Sequence, residues 1–202
     1  TALLLEDLRN MYGRIRGVIH CAGVGVGQFS DKLDVVSEKE FKDGLLAKLY
    51  GTWVLQRHTA KDKLDFLAVF TSPITLMGGF GQGGYTCANA YLDSFPYLSA
   101  KKGQRAFAVG WGPWEKTAEI MGVLFNKDKQ LFRTMTAKEI TACFEELLMR
   151  DVRTVYAGVL NLNSTMFAHN EEDLGLTFSL EIREHIGSGG RRNPYMTDDG
   201  FE

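Results

Sequence analysis

The chain has 202 residues, of which 45% are hydrophobic and 24% charged, and its formal net charge at pH 7 is −2. A chain of this length can bury a core of its own, and its charge gives no broad basic surface to attract nucleic acid or an anionic membrane. Three cysteines, Cys21, Cys87 and Cys143, are too few and too scattered for a disulfide framework or a thiolate metal site. No apolar run reaches the ~18 residues that span a bilayer. We therefore expect a cytoplasmic protein without a nucleic-acid, membrane or metal partner.

The first third of the chain predicts a helix, a buried strand and a longer helix. Apolar residues recur at helical spacing over residues 3–12, and residues 16–21 form a short apolar run of the kind found in buried strands. Ser37 and Glu40 have the spacing of a capping box, with Ser37 as the N-cap. The helix that they open is predicted to continue to about residue 57.

The rest of the chain alternates between apolar strands and helices. We predict strand 65–71, a glycine-rich loop 72–84, helix 85–101, strand 106–111, helix 137–150 and strand 154–160. Short apolar strands separated by helices predict a parallel sheet covered on both faces, in a doubly wound α/β fold. A ligand is expected at the carboxyl ends of the strands.

Four polar residues on this frame are candidate catalytic residues. Lys48 lies on the long helix, Ser72 directly follows a strand, and Tyr85 and Asn89 are spaced i, i+4, which places them on one helical face. Hydroxyl groups from a serine and a tyrosine can donate to a carbonyl oxygen, which gains negative charge during hydride addition. A nearby ammonium favours the phenolate form of a tyrosine. Lys48 is expected to supply that charge, and Asn89 to hold either Lys48 or an ordered water.

Five glycines precede or open the tyrosine helix, and they admit two interpretations. They are Gly78, Gly79, Gly81, Gly83 and Gly84. A phosphate-binding loop belongs between the first strand and its helix, and these glycines come later in the chain, so the sequence favours a substrate loop. His20 lies in a predicted buried strand, and we interpret it as a core histidine.

Several blocks of the sequence resemble the ketoreductase domains of modular polyketide synthases or hybrid polyketide/nonribosomal peptide synthases, which belong to the short-chain dehydrogenase superfamily. The blocks are GVIHCAG, AKLYGTW, FLAVFTSPITLMGGFGQGGYTCANAYLDSF and AVGWGPW, within about residues 17–160. In those domains the tyrosine motif is Tyr-x-x-x-Asn with a lysine upstream, and Tyr85, Asn89 and Lys48 match it. The step from Ser72 to Tyr85 also matches. The resemblance implies the catalytic part of a Rossmann-like fold.

The resemblance also implies roles for these residues. Tyr85 would donate a proton, Ser72 would polarise a ketone, and Lys48 and Asn89 would set the environment of Tyr85. NADPH is implied as the cofactor. Besides Lys48 and Tyr85, the residues expected to contact it are Ala22, Gly23, Gly112 and Pro113. Residues 115–134 would form either a lid or an ordinary amphipathic surface segment. The substrate and lid contacts expected are Met77, Met121, Leu124 and Phe125.

Some family features are absent from this sequence. No Gly-x-Gly-x-x-Gly follows a first strand, and the family carries that element upstream of the residues matched here. We therefore expect residues 1–165 to be the catalytic subdomain of a ketoreductase, with residues 166–202 as an extension or linker. Residues 24–29 lack the Leu-Asp-Asp motif, and Met77 stands where many members have tryptophan, so the configuration of the product stays open.

The implied substrate is a ketoacyl group on the phosphopantetheine arm of an acyl or peptidyl carrier protein, within a multidomain synthase whose neighbouring domains are further partners. Three alternatives remain at this point. They are a free-standing short-chain dehydrogenase, a domain that reduces α-ketoacyl groups in a depsipeptide-forming nonribosomal synthetase, and a silent scaffold domain.

Overall fold

The computed structural model describes residues 1–23, 35–79, 81–120, 130–162, 164 and 179. The chain divides into two compact units. The first comprises Thr1–Trp111 and Leu148–Ala157, and the second comprises Gly112–Leu147 and Gly158–Glu202. The boundary expected near residue 165 lies outside the described residues.

The described part of the first unit contains a four-stranded parallel sheet in the order β1-β2-β3-β5. Its strands are β1 (Gly17–His20), β2 (Phe66–Thr71), β3 (Ala106–Trp111) and β5 (Thr154–Ala157). All six residues of β3 are buried, as expected of a central strand whose two faces are both covered. The first three predicted strands and the doubly wound parallel architecture are confirmed.

Helices of the first unit flank this sheet. They are α1 (Ala2–Tyr12), α2 (Glu38–Leu45), α3 (Gly51–Thr59), α4 (Ile74–Met77) and α5 (Gly83–Ala100). Buried residues of β2 and β3, among them Leu67, Val69 and Ala108, pack with Leu92 and Phe95 of α5 in the hydrophobic core. This packing fixes α5 against the two central strands.

The helix predicted to run from Ser37 to about residue 57 begins as expected and continues to Thr59, but it is not α-helical throughout. The Ser37 backbone N–H donates to Glu40 Oε2 at 3.0 Å, and the Glu40 N–H donates to Ser37 Oγ at 3.2 Å, which completes the capping box. A π-helical turn at Leu46–Tyr50 then separates α2 from α3. Apolar spacing could not reveal this turn, because a single wide turn shifts the helical period only locally.

The loop predicted at residues 72–84 contains a short helix. Helix α4 occupies Ile74–Met77, and α5 begins at Gly83. Gly78 and Gly81 on either side have φ of 67° and 69°, a backbone region that favours glycine. Two of the glycines are thus accounted for by turn geometry alone.

The second unit holds α6 (Glu115–Ile120), β4 (Phe132–Arg133), β6 (Val159–Leu160) and α7 (Ala137–Met149), whose last two residues belong to the first unit. Strands β4 and β6 are antiparallel. Arg133 forms an ion pair with Glu139, and it lowers the pKa of that carboxyl to about 2, with further hydrogen bonds from Thr136.

The strand predicted at residues 154–160 is divided at Gly158 into β5 and β6, which belong to different sheets. A side chain at Gly158 would lie 2.7 Å from the Phe132 ring. A glycine inside a strand pattern often marks such a close approach. None of the helices in the described residues has the length and apolarity needed to cross a membrane.

The Tyr156 ring packs so closely on Gly110 that a larger residue at this position should destabilise the sheet. A Cβ at Gly110 would lie 2.7 Å from Cε1 of Tyr156 and closer still to Cδ1. We expect Gly110→Ala to lower the free energy of unfolding by about 1–3 kcal/mol, since the ring or the strand must move. Urea denaturation measures the change. Gly84→Ala is the matched control, because its Cβ comes no closer than 3.6 Å to Phe41. Equal stability of the two variants would contradict the prediction.

Candidate active site

The four candidate catalytic residues all lie in the first unit, on three successive segments. Lys48 is on the π-helical turn, Ser72 directly follows β2, and Tyr85 and Asn89 are in α5. Ser72 therefore stands at the carboxyl end of a parallel strand, where ligands of this fold class bind.

Lys48 is a buried cation that faces Tyr85. Its side chain is 7% exposed, and Nζ donates to the Phe70 carbonyl at 2.9 Å. Nζ lies 6.0 Å from the centroid of the Tyr85 ring. Burial lowers the pKa of Lys48 to about 8, and Coulomb interactions with Asp93 and Cys21 oppose that decrease. The site thus holds an ammonium next to a phenol at a cost in desolvation.

Asn89 is fully buried one turn beyond Tyr85. Its Nδ2 donates to the Tyr85 carbonyl at 2.8 Å, while its Oδ1 is buried without a hydrogen-bond partner among the described residues. The Thr71 hydroxyl donates to the Asn89 carbonyl at 3.3 Å, which ties α5 to the end of β2. Within the described structure Asn89 and Lys48 share no direct hydrogen bond. The free Oδ1 is an acceptor of the kind that an ordered water requires.

Ser72 is half-buried in a turn that leaves its hydroxyl proton available. Oγ accepts a hydrogen bond from the Ile74 N–H at 3.3 Å. The Ser72 carbonyl accepts from the N–H of Thr75 at 3.3 Å, and the Thr75 hydroxyl lies 3.1 Å from the same carbonyl oxygen. Because Oγ serves here as an acceptor, its O–H can still donate to a substrate carbonyl.

The expected cofactor residues lie in both units. Ala22 and Gly23 are exposed just after β1, and a Cβ at Gly23 would lie 3.2 Å from Cε of Lys48. Glycine there leaves open space next to the ammonium, which fits a cofactor lying against Lys48. Gly112 and Pro113 begin the second unit, where the Pro113 carbonyl accepts from the Met135 N–H at 2.8 Å.

Of the expected substrate contacts, Met77 is half-buried at the end of α4. Met121, Leu124, Phe125 and the loop of residues 24–29 lie outside the described residues. The start of the expected lid, Glu115–Ile120, is helix α6.

Three residues near the site were missed by sequence reasoning. Asp93, Tyr156 and Thr75 form hydrogen bonds next to the Ser72 turn. Asp93 could have been noticed, since it lies one turn beyond Asn89 on the face of α5 that carries Tyr85. Tyr156 gives no local signal, because it comes from a strand 63 residues further along the chain.

His20 packs next to the π-helical turn. It is buried, its Nε2 has no partner among the described residues, and a Cβ at Gly51 would lie 3.3 Å from its Cε1. Burial lowers the pKa of His20, and the charge of Lys48 lowers it further. The described residues contain no group of three or more His, Cys, Asp or Glu side chains that could hold a metal ion.

Burial of the Lys48 ammonium should lower the stability of the folded protein. We expect Lys48→Met to raise the free energy of unfolding at pH 7 by about 1–2 kcal/mol, because the desolvation that lowers the pKa disappears while one hydrogen bond is lost. The folded pKa of about 8 lies below the ordinary 10.5. Between these two pH values the unfolded wild-type chain binds more protons than the folded one, so the free energy of unfolding of the wild type rises with pH. The stability difference between Lys48→Met and the wild type therefore becomes smaller as the pH rises.

Urea denaturation of Lys48→Met and the wild type at pH 7 and pH 10 measures these stability differences. Lys61→Met is the control, because Lys61 is exposed. Lower stability of Lys48→Met at pH 7 would contradict the prediction.

Comparison with known proteins identifies the family. Residues 1–116 match the KR domain family. The chain is 34% identical over 118 residues to the polyketide synthase GfsE of Streptomyces halstedii, which covers 57% of this chain and 3% of that protein. The chain therefore spans a small part of the length of the synthases that it matches.

Solved ketoreductases have the same fold. An A-type ketoreductase from a modular polyketide synthase aligns with a TM-score of 0.76 at 22% identity, over 92% of this chain and 40% of that one. The first ketoreductase of the tylosin polyketide synthase aligns with a TM-score of 0.71 at 25% identity, over 92% and 41%. The predicted resemblance is confirmed: the chain belongs to the ketoreductase (KR) domain family of modular polyketide synthases, nicotinamide-dependent oxidoreductases of the short-chain dehydrogenase superfamily that act on ketones.

Proposed function

We propose that this domain uses NADPH to reduce the ketone of an acyl thioester carried on an acyl or peptidyl carrier protein. The observation that carries the proposal is the buried Lys48 ammonium 6.0 Å from the Tyr85 ring centroid. Ser72, at the carboxyl end of β2, supplies a second hydroxyl group besides that of Tyr85. Residues 1–165 would form the catalytic subdomain, with the extension beyond them.

In this proposal two hydroxyl groups act on the ketone oxygen. The Ser72 hydroxyl donates to the oxygen and stabilises the negative charge that grows on it during the reaction. Tyr85 transfers its proton to the same oxygen as the alcohol forms. The cofactor, when bound, supplies the hydride that adds to the carbonyl carbon. One C–H bond and one O–H bond form, and the Tyr85 phenolate remains until it is reprotonated.

Lys48 has the role of stabilising that phenolate. Its positive charge is held close to the ring by the hydrogen bond to the Phe70 carbonyl and by low exposure, so solvent screens it little. The free Oδ1 of Asn89 would hold the water that returns a proton. Ala22, Gly23 and Lys48 would bind the cofactor, with Gly112 and Pro113 as further contacts.

The proposed partners follow from the setting of the relatives. GfsE is a polyketide synthase, and its aligned segment is a small part of a long chain. Neighbouring synthase domains and a carrier protein would thus be covalently close. A phosphopantetheine arm adds binding energy remote from the ketone, and that energy can position the reacting carbon.

The first functional prediction concerns the proton donor. In the full-length protein Tyr85→Phe should lower kcat for ketone reduction by about 10²–10⁴-fold, because the change removes the general acid and keeps the ring. NADPH oxidation with an acyl thioester measures the rate. Tyr97→Phe is the matched control, since Tyr97 lies on the same helix but is 55% exposed. A Tyr85→Phe rate near that of wild type would refute the assignment.

The second functional prediction concerns substrate class. Acyl groups on a carrier protein should have a higher kcat/KM than the corresponding free keto acids, by about tenfold or more, since the arm contributes binding energy. The measurement compares kcat/KM for four substrates, which are an α-keto and a β-keto acyl group, each as the carrier-protein thioester and as the free acid. A free acid that equals its carrier-bound form would favour a free-standing dehydrogenase instead.

A further inference from the structure

Three side chains outside the proposed catalytic set form a hydrogen-bonded chain that reaches the Ser72 turn. The Tyr156 hydroxyl lies 2.9 Å from Oδ2 of Asp93 and 2.9 Å from Oγ1 of Thr75. Thr75 in turn donates to the Ser72 carbonyl through its backbone N–H. The chain therefore connects α5, β5 and the first turn of α4.

Each hydroxyl has one proton, and this fixes the direction of the chain. Tyr156 donates its proton to the Asp93 carboxylate, so its oxygen accepts from Thr75. The Thr75 hydroxyl therefore donates to Tyr156, and Tyr156 donates to Asp93. The second hydrogen bond ends on a charged carboxylate and is stronger than one between neutral groups. The Thr75 hydroxyl also lies 3.1 Å from the Ser72 carbonyl, but its one proton goes to the nearer Tyr156 oxygen at 2.9 Å. The Ser72 carbonyl therefore keeps the N–H of Thr75 as its donor at 3.3 Å.

Local packing holds Tyr156 and Asp93 in this arrangement. The Tyr156 ring lies over Gly110, where no side chain could be accommodated. The Thr154 hydroxyl donates to the Asp93 carbonyl at 2.7 Å, so β5 contacts α5 at this residue twice. These contacts hold the hydrogen-bonded chain in place at Asp93 and Tyr156, the end furthest from Ser72.

Asp93 also acts on Lys48. The titratable groups that face Lys48 are Asp93 and Tyr85 of α5, together with His20 and Cys21 at the end of β1. Among these, Asp93 gives the largest contribution that favours the charged lysine, opposing burial. Its Oδ1 is buried and has no hydrogen-bond partner among the described residues.

We propose that Asp93 is a positioning residue of the reductase site. Through Tyr156 and Thr75 it holds the turn that presents Ser72, and from two turns beyond Tyr85 on α5 its carboxylate acts on the Lys48 ammonium. The proposal rests on the proposed function for its consequence in catalysis, but its electrostatic part concerns Lys48 alone. Asp93 touches neither the substrate nor the reacting atoms in this scheme.

Two variants separate the two effects of Asp93. Asp93→Asn keeps an oxygen that can accept from Tyr156 but removes the charge. Tyr156→Phe keeps the charge and the ring but removes the hydroxyl that connects Asp93 to Thr75. A purely structural role would make the two variants differ only in stability.

The first measurement is the titration of Lys48, followed by NMR in the full chain labelled with lysine ¹³Cε and assigned with Lys48→Arg. We expect the wild-type midpoint near 8. Asp93→Asn should lower it by about one pH unit, since a neighbouring negative charge favours the ammonium. Tyr156→Phe should leave it unchanged. If Asp93→Asn does not fold, Asp93→Ser replaces it with the same expectations.

The second measurement is the pH profile of ketone reduction. Because the charged lysine is the active form, wild-type activity should fall as pH rises through about 8. In Asp93→Asn that fall should occur about one pH unit lower. In Tyr156→Phe it should stay in place while kcat decreases about tenfold with little change in KM, since Ser72 is displaced.

The two measurements distinguish failure of this inference from failure of the proposed function. An unchanged Lys48 midpoint in Asp93→Asn overturns the inference, whatever the activity. A wild-type kcat in Tyr156→Phe likewise overturns its second part. If the wild-type protein reduces no ketone, the proposed function fails, and a shifted Lys48 midpoint in Asp93→Asn still supports the electrostatic part.

Discussion

The site depends on a lysine ammonium held out of water within reach of a tyrosine ring. Placing Lys48 there costs free energy, and the fold offsets part of that cost with the Phe70 carbonyl at 2.9 Å and with the charge of Asp93. The remaining cost is visible as a pKa of about 8. A cation this poorly solvated acts strongly on the group next to it, because little water screens its field. The neighbouring elements are arranged around this requirement.

Backbone irregularities deliver the charged and polar groups to the same place. A π-helical turn carries Lys48, and such turns often occur at functional sites because they redirect one side chain within an otherwise regular helix. Gly23 and Gly51 approach Lys48 and His20 so closely that a Cβ would be 3.2–3.3 Å from their side chains. The regular part of the fold, β2 and α5, fixes Ser72 and Tyr85 relative to one another. The irregular part then brings Lys48 to them.

Much of this arrangement could be predicted from the sequence, because it depends on local patterns. The apolar runs gave the parallel strands, and Ser37 with Glu40 gave the start of α2. The π-helical turn at Leu46–Tyr50 could not be predicted, since apolar spacing is nearly the same in a continuous helix. The contact of Tyr156 with Asp93 joins residues 63 positions apart and depends on the register of β5 against β3. Helical spacing could have placed Asp93 on the face of Tyr85, although sequence reasoning missed this residue, and only tertiary packing reveals what it binds.

In the described part of the chain, several buried polar atoms without hydrogen-bond partners lie in or near the site. Oδ1 of Asp93 and Nε2 of His20 belong to residues that interact electrostatically with Lys48, and Oδ1 of Asn89 lies one turn beyond Tyr85. Each such atom costs about 1–3 kcal/mol when it is left unpaired. A fold selected for stability alone would pair these atoms or replace them with apolar groups. Their concentration here follows if the site is built to receive groups that complete these hydrogen bonds, such as a cofactor hydroxyl or an ordered water, and if part of the folding free energy is given up to keep the receiving groups in place.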